Sequence, residues 1–295
     1  MQTEKIIYAL GFFDGVHRGH GMLLAACRQF AGHLGCKAGA VTFDIHPESL
    51  VAGKSPALLN TTEDRKRLLE SRGMDEILVL PFDAPLRSMP WQAFLEMLLE
   101  KGAAGFVCGD DFRFGYRGQG TAEKLSAFCR ERDLCWTVVP AQLLGQTRIS
   151  STYIRELIRA GEMERAVEFL GHPHILTGTV VRGKQLGRTI GIPTANLLLP
   201  EGVLCPRFGV YACRALVDGK TFPAVTNVGV RPTVSGEGIT IEPWLLDFSG
   251  DLYGKTLTLE FHAFLRPERK FASLEKLQEE IQKNAAETRK IFEKS

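Results

Sequence analysis

Apolar residues in the first half of the chain fall in short runs that alternate with helical periods. Ile6 to Leu10 reads as a strand, and Leu23, Leu24, Cys27, Phe30, Ala31 and Leu34 recur at helix spacing. A second strand is predicted over Ala38 to Phe43, and a helix from about Thr62 to Arg72. Then come Ile77 to Leu80, a helix near Trp91 to Leu99, Gly105 to Cys108, a helix across Thr121 to Arg132, and Trp136 to Val139. This βα rhythm predicts a mostly parallel sheet covered on both faces, with ligands at the carboxyl ends of its strands. Two short helices, Ser151 to Arg159 and Glu162 to Leu170, are expected to hinge at Gly161.

Beyond Gly171-His172-Pro173 the period changes. Ile175 to Val181, Val210 to Val217, Phe222 to Asn227, Ile239 to Leu246 and Thr256 to Phe264 are β-rich runs parted by glycine-containing turns. Runs of this kind without long intervening helices predict a small antiparallel barrel. A terminal helix over Phe271 to Phe292 carries an imperfect apolar stripe of Leu274, Leu277, Ile281, Ala285 and Ile291, and its Lys and Glu read as a solvated face. The fold class is therefore α/β, in two domains, 1–170 and 171–295, and a chain of 295 residues suits that division.

Composition narrows the partners. Lys and Arg number 36 against 34 Asp and Glu, so no global basic field is available to hold nucleic acid. Seven cysteines stand singly with no Cys-x-x-Cys, which indicates neither a metal knuckle nor a disulfide framework and fits a reducing cytoplasm. No apolar stretch reaches the length of a membrane span, and the first residues lack a signal-peptide pattern. Small-molecule substrates are expected, with neither nucleic acid nor membrane as partner.

Candidate chemistry gathers at three predicted strand ends: 11–20, 43–47 and 109–115. Gly11-Phe12-Phe13-Asp14-Gly15-Val16-His17-Arg18-Gly19-His20 sets two imidazoles three residues apart between a strand and a helix start near His20. Unpaired N–H groups at a helix start, with the dipole behind them, favour an anion, and the histidines can donate to phosphate oxygens. A tight turn with solvent-facing histidines is the plainer reading. Gly109-Asp110-Asp111-Phe112-Arg113-Phe114-Gly115 offers aromatic faces to a planar ring, although an aromatic there also suits the core and Arg113 suits pairing with a neighbouring acid. Arg148-Ile149-Ser150-Ser151-Thr152-Tyr153-Ile154-Arg155 brackets three hydroxyls, which serve equally as helix caps, with two arginines that form a second anion grip. Paired anion sites suit nucleotidyl transfer from a triphosphate. A phosphate nucleophile is already ionised and needs no general base.

In the second half, Gly183 to Gly191 is a glycine-rich connection whose Lys184 and Arg188 are, taken alone, ordinary surface charges. Pro193-Thr194-Ala195-Asn196 puts a hydroxyl and an amide oxygen two residues apart, on one side of an extended segment. Such a pair suits a hard cation such as Mg²⁺, but is a weak metal signal by itself.

These separated motifs occur together, and over its whole length the chain resembles the bacterial bifunctional riboflavin kinase and FAD synthetase family. The resemblance implies a Rossmann-like nucleotidyltransferase domain with a parallel sheet, followed by a small antiparallel β-barrel and a C-terminal helix. It gives Gly11, Phe13, Asp14, Gly15, His17 and His20 to the ATP phosphates. Thr42-Phe43-Asp44-Ile45-His46-Pro47 matches a family segment that usually has proline where Ile45 stands and retains His46. Gly109 to Gly115 matches a further segment, with Asp111, Phe112, Arg113 and Phe114 on the flavin side. Arg148, Ser151 and Thr152 resemble the phosphate-contacting set, with Arg155 close by.

In the barrel, Gly191 to Asn196 is similar to the riboflavin kinase motif whose Thr and Asn, here Thr194 and Asn196, ligate magnesium. Gly183, Lys184, Gly187 and Arg188 resemble the loop over the ATP phosphates, and Asn227 and Arg231 a stretch near the flavin. The family's catalytic glutamate falls on Glu242, and Pro243-Trp244 replaces a small polar residue and His. The implied activity is FMN synthesis from riboflavin and ATP, then FAD synthesis from FMN and ATP. Two alternatives remain at this point: a nucleotidyltransferase for another phosphorylated acceptor joined to an inactive barrel, and a non-catalytic flavin- or RNA-binding regulator.

Overall fold

Every residue of β1 (Ile6–Leu10) is buried, as a strand flanked by helices on both faces requires. The computed structural model describes residues 5–47, 56–182, 191–233 and 236–293. β1 lies at the centre of a parallel sheet with β2 (Lys37–Phe43), β3 (Glu76–Leu80), β4 (Ala103–Gly109) and β5 (Cys135–Val139), in the order β3-β2-β1-β4-β5. The chain steps outward from β1 to β3 and returns on the other side at β4. The carboxyl ends of β1 and β4 therefore adjoin at a topological switch point, where open α/β sheets bind their ligands.

Tyr8 and Leu10 pack with Phe94, Leu95 and Leu98 of α4 (Trp91–Glu100) and with Leu125 and Phe128 of α5 (Ala122–Glu131). α1 (Arg18–Leu34) lies against β1 and β2 outside that cluster, and the buried Cys27 thiol donates to the Ile7 carbonyl at 3.0 Å. α2 spans Thr62–Ser71. A single-turn helix α3 (Ala84–Ser88) and a hairpin of β6 (Leu143–Leu144) and β7 (Thr147–Arg148) were not foreseen. Both are too short to show a period; α3 starts because Asp83 accepts from the Leu86 N–H at 3.0 Å.

Two compact units emerge: Met1–Leu58 with Thr62–Ser151, and Leu59–Thr61 with Thr152–Ser295. α6 (Ser151–Ala160) and α7 (Met163–Leu170) thus fall, but for Ser151, in the second unit, and Gly161 turns the chain between them at φ 80°. The rest of that unit is a closed barrel of β8 (His174–Val181), β9 (Asn196–Leu197), β10 (Gly209–Val217), β11 (Lys220–Thr233), β12 (Gly236–Leu245) and β13 (Thr256–Arg266), ordered β10-β11-β12-β9-β8-β13. Leu257, Leu259, Phe261 and Ala263 of β13 alternate into the interior as a strand with one buried face should.

β10 breaks that alternation because its outer face is also covered. Val210, with Val225 and Trp244, packs on Ala285 of α8 (Leu274–Glu293). The buried residues of α8 are Asn284, Ala285 and Thr288, while Leu274 of the expected stripe is exposed. Nor are all its acids merely solvated: Glu280 pairs with Arg266 and Arg269, and Asn284 accepts from Arg266 Nε at 3.0 Å. Among the described residues no helix is long and apolar enough to cross a membrane.

Candidate functional site

The segment joining β1 to α1 is strained. Phe13 and Val16 adopt left-handed backbone at φ 60° and 39°, and Gly15 at 78°. The first two conformations cost on the order of 1–3 kcal/mol each, Val16 being β-branched, and such costs concentrate where geometry serves a ligand. Phe13, Asp14, Gly15, Val16 and His17 are all buried. The helix begins at Arg18, two residues before the position expected, because His17 is the cap: its Nδ1 accepts the His20 N–H at 3.2 Å. An accepting Nδ1 fixes the proton of neutral His17 on Nε2. The two imidazoles stack with centroids 3.7 Å apart and 10° between planes, and Phe13 meets His20 edge-on at 5.2 Å. His20 Nδ1 is shut off from solvent with no hydrogen-bond partner. Burial first, then the charges of His17 and Arg65, hold His20 well below the ordinary imidazole range. It is neutral at pH 7 and can offer a proton to an anion without carrying charge.

The other strand-end segments come to this loop. Ser151 Oγ donates to the Asp14 carbonyl at 2.9 Å. Arg148 of β7 forms an ion pair with Asp111 beyond β4, both side chains being solvent-exposed. His46 stands edge-on to Phe12 at 4.6 Å. Phe112 stacks on Phe114 at 5.6 Å; Phe114 is in the core against Phe94, and Phe112 covers it from outside. Arg113 is exposed; the Thr121 hydrogen bond first, and the Arg113 charge least, hold the Glu123 carboxyl below its ordinary value. Thr152, exposed, and Arg155, buried, belong to α6 in the second unit. Ile45, at the usual proline position, donates its N–H to Asp44 Oδ1 at 2.8 Å, a bond proline has no hydrogen to make.

One residue that sequence reasoning passed over stands behind the loop. Arg65 is fully buried, its guanidinium 4.2 Å from the Phe12 ring centroid. Its one available signal is a cation in the first turn of α2, the end of a helix where the dipole disfavours positive charge.

In the barrel the strand register arranges the candidates. Asn227 of β11 is opposite Glu242 of β12. Ile241 pairs with Leu197 and the Ala195 N–H donates to the Pro243 carbonyl at 2.9 Å, so Asn196 of β9 is opposite Glu242 from the other side. Directly opposed residues share a face, so Asn196, Glu242 and Asn227 form one row across three strands, about 4.8 Å apart per step. Glu242 is buried at 7% exposure. Thr194, two residues before Asn196, lines a cavity with Pro193, Phe248, Asp251 and Tyr253. Trp244 of the unusual Pro243-Trp244 pair turns outward into the cluster under α8. Asn227 Nδ2 donates to Glu268 at 3.3 Å. Gly183, Lys184, Gly187 and Arg188 lie outside the described residues, as does the side chain of Arg231.

No group of three His, Cys, Asp or Glu that would cage a metal occurs among the described residues. The hydroxyl of Thr194 and amide oxygen of Asn196 are hard, neutral donors; they fit a Mg²⁺ that takes the rest of its shell from phosphates and water.

Known proteins agree with this two-part arrangement. A family model for FAD synthetase matches residues 1–153, and one for riboflavin kinase matches residues 170–292. The bifunctional riboflavin kinase/FMN adenylyltransferase of Listeria monocytogenes is 35% identical over 98% of this chain and 93% of its own length. That of Escherichia coli K12 is 36% identical over the same shares. A crystal structure described as the macrolide-efflux protein from Streptococcus pneumoniae matches with a TM-score of 0.87 at 30% identity, covering 98% of this chain and 95% of that one. With both halves matched in order and near full-length relatives above 30% identity, this chain belongs to the bifunctional riboflavin kinase/FMN adenylyltransferase family.

Proposed function

We propose that the barrel, residues 171–295, phosphorylates riboflavin with ATP, and that residues 1–170 then adenylylate the FMN so formed. In the first reaction the ribityl 5′-hydroxyl oxygen attacks the γ-phosphorus, the bridging P–O bond breaks, and ADP leaves. An alcohol is a poor nucleophile, and Glu242 accepts its proton as the new bond forms. The observation that carries this reading is the row of Asn196, Glu242 and Asn227, which puts one buried carboxylate between two amides on neighbouring strands. Thr194 and Asn196 would hold Mg²⁺, which when bound offsets charge on the transferring phosphate.

In the second reaction an FMN phosphate oxygen attacks the α-phosphorus of ATP and pyrophosphate leaves. The nucleophile is already ionised, so this site has only to orient and neutralise. Support comes from the stacked histidines, of which His20 is held neutral, from Ser151 bound to the Asp14 carbonyl in the same loop, and from Arg148 paired with Asp111 at the neighbouring strand end. His17 and His20 act as phosphate donors, while Asp111 and Phe112 face the flavin. The balanced charge suits diffusible nucleotides and flavins as partners. We assign the protein to the cytoplasm, where its seven thiols, all free here, would stay reduced.

Purified protein incubated with riboflavin, ATP and Mg²⁺, followed by chromatographic separation of flavins, tests the proposal. Glu242→Gln is expected to lower FMN formation at least about 10²-fold, the usual worth of a general base, and to leave FAD formation from supplied FMN intact. Replacing both His17 and His20 is expected to do the reverse. Absence of both products from the unaltered chain refutes the reading, and a full kinase rate in Glu242→Gln removes the base assignment.

A further inference from the structure

We propose that Arg65 is a positioning residue of the N-terminal site: it offsets the carboxylates behind the histidine pair, and so lets a triphosphate bind there without touching it. This rests on reading residues 1–170 as an adenylyltransferase.

The histidine loop is an odd anion site as its sequence stands. His20 is neutral, and Asp14, 2% exposed, is a carboxylate within the loop itself. Asp44 adds a second at the end of β2. Left alone, these acids would repel a triphosphate. Arg65 is a buried cation whose charge Asp14 and Asp44 favour. Burial lowers it to about 10, so it stays protonated at pH 7. Its Nη2 donates to the Phe43 carbonyl and, at 3.4 Å, to Thr62 Oγ1, which fixes the guanidinium against the Phe12 face. Its Nε and Nη1 are buried with no hydrogen-bond partner. A core that served packing alone would replace such a group, because unmet buried donors are costly. Nearby negative charge, from Asp14, Asp44 and a bound nucleotide, is what makes a fixed cation favourable there. With no solvent-accessible surface, Arg65 acts through Phe12, Asp14 and His20.

A unit charge about 8–10 Å from a phosphate at an effective dielectric of about 20 changes binding roughly fifteen- to thirtyfold. The test measures FAD formation from supplied FMN in Arg65→Met, Arg65→Lys and the double variant Arg65→Met/Asp44→Asn, with inorganic triphosphate as a competing probe. In Arg65→Met the KM for ATP and the Ki for triphosphate should rise together by about that factor while kcat stays within about threefold. Arg65→Lys should keep both constants within about threefold. Adding Asp44→Asn, which retains the oxygen that accepts from Ile45 and Phe82, should recover at least about fivefold of the loss. Unchanged KM in Arg65→Met, a fall in kcat alone, or no recovery by Asp44→Asn overturns the proposal and leaves a purely structural arginine. If Arg65→Met does not fold, Arg65→Lys decides: a tenfold rise in KM refutes a role carried by charge. Failure of the unaltered chain to make FAD would instead sink the adenylyltransferase reading.

Discussion

His174 begins β8 with its ring enclosed in the barrel, 1% exposed, 5.8 Å from the Phe261 centroid. Neither ring nitrogen has a hydrogen-bond partner. Burial, with a smaller push from the charge of His172, lowers it to about 3. The unfolded chain takes up that proton near the ordinary value of about 6.5 while the native barrel refuses it, so the unfolded state binds more protons in between. Stability from this group is therefore complete above about pH 6.5 and is lost as pH falls toward 3. At pH 5, about 1.5 units into that window, the loss is about 2 kcal/mol at 1.36 kcal/mol per unit. His174→Phe removes the titrating ring and the unmet donor, and should equal or exceed the parent in stability at pH 7. Urea titrations at pH 7 and 5, read by pulsed hydrogen exchange in peptides covering β8 and β13, isolate the effect, since every other acid and histidine is common to both proteins. The parent should lose about 2 kcal/mol more than the variant. Equal losses, or a His174 ring signal titrating near 6.5 by NMR, refute the reasoning.

Two substitutions probe the N-terminal loop. A Cβ at Gly19 would sit 3.2 Å from His17 Cε1 and Nδ1, so Gly19→Ala must push the capping ring aside by a few tenths of an ångström. Helix propensity should hold or raise the melting temperature while FAD formation falls roughly three- to tenfold and FMN formation does not change; an unaltered FAD-forming rate would show that the ring's position is not critical. Ile45→Pro loses the Ile45 donor but leaves Asp44 Oδ1 its bond from the Phe82 N–H at 2.8 Å, and proline stiffens the unfolded chain. The net change should be below about 1 kcal/mol in denaturant titration, with FAD formation retained, and a larger loss would mean the Ile45 bond holds the segment in place.

The sequence by itself determined the parallel sheet, the hinge at Gly161 and the barrel, because buried strands and amphipathic helices leave periods of two and 3.6 in their apolar residues. It also singled out the segments that meet at the switch point, since glycines, histidines and paired charges after an apolar run are costly unless they serve something. On α8 the apolar stripe found Ala285 but not its buried polar neighbours Asn284 and Thr288, and it included the exposed Leu274: a helix that closes a barrel is chosen by the shape it covers, and its stripe is weak. It gave no hint that His17 caps its own helix, that Arg148 reaches Asp111, or that Glu242 lies between Asn196 and Asn227. The last two are consequences of register and strand order, which bring together residues up to 46 positions apart and have no local signature. Arg65 is the clearest case. Its sequence neighbours make it one charge of several on a surface helix, and only the tertiary structure encloses it, removes its water, and so turns an ordinary arginine into the counter-charge of the histidine loop.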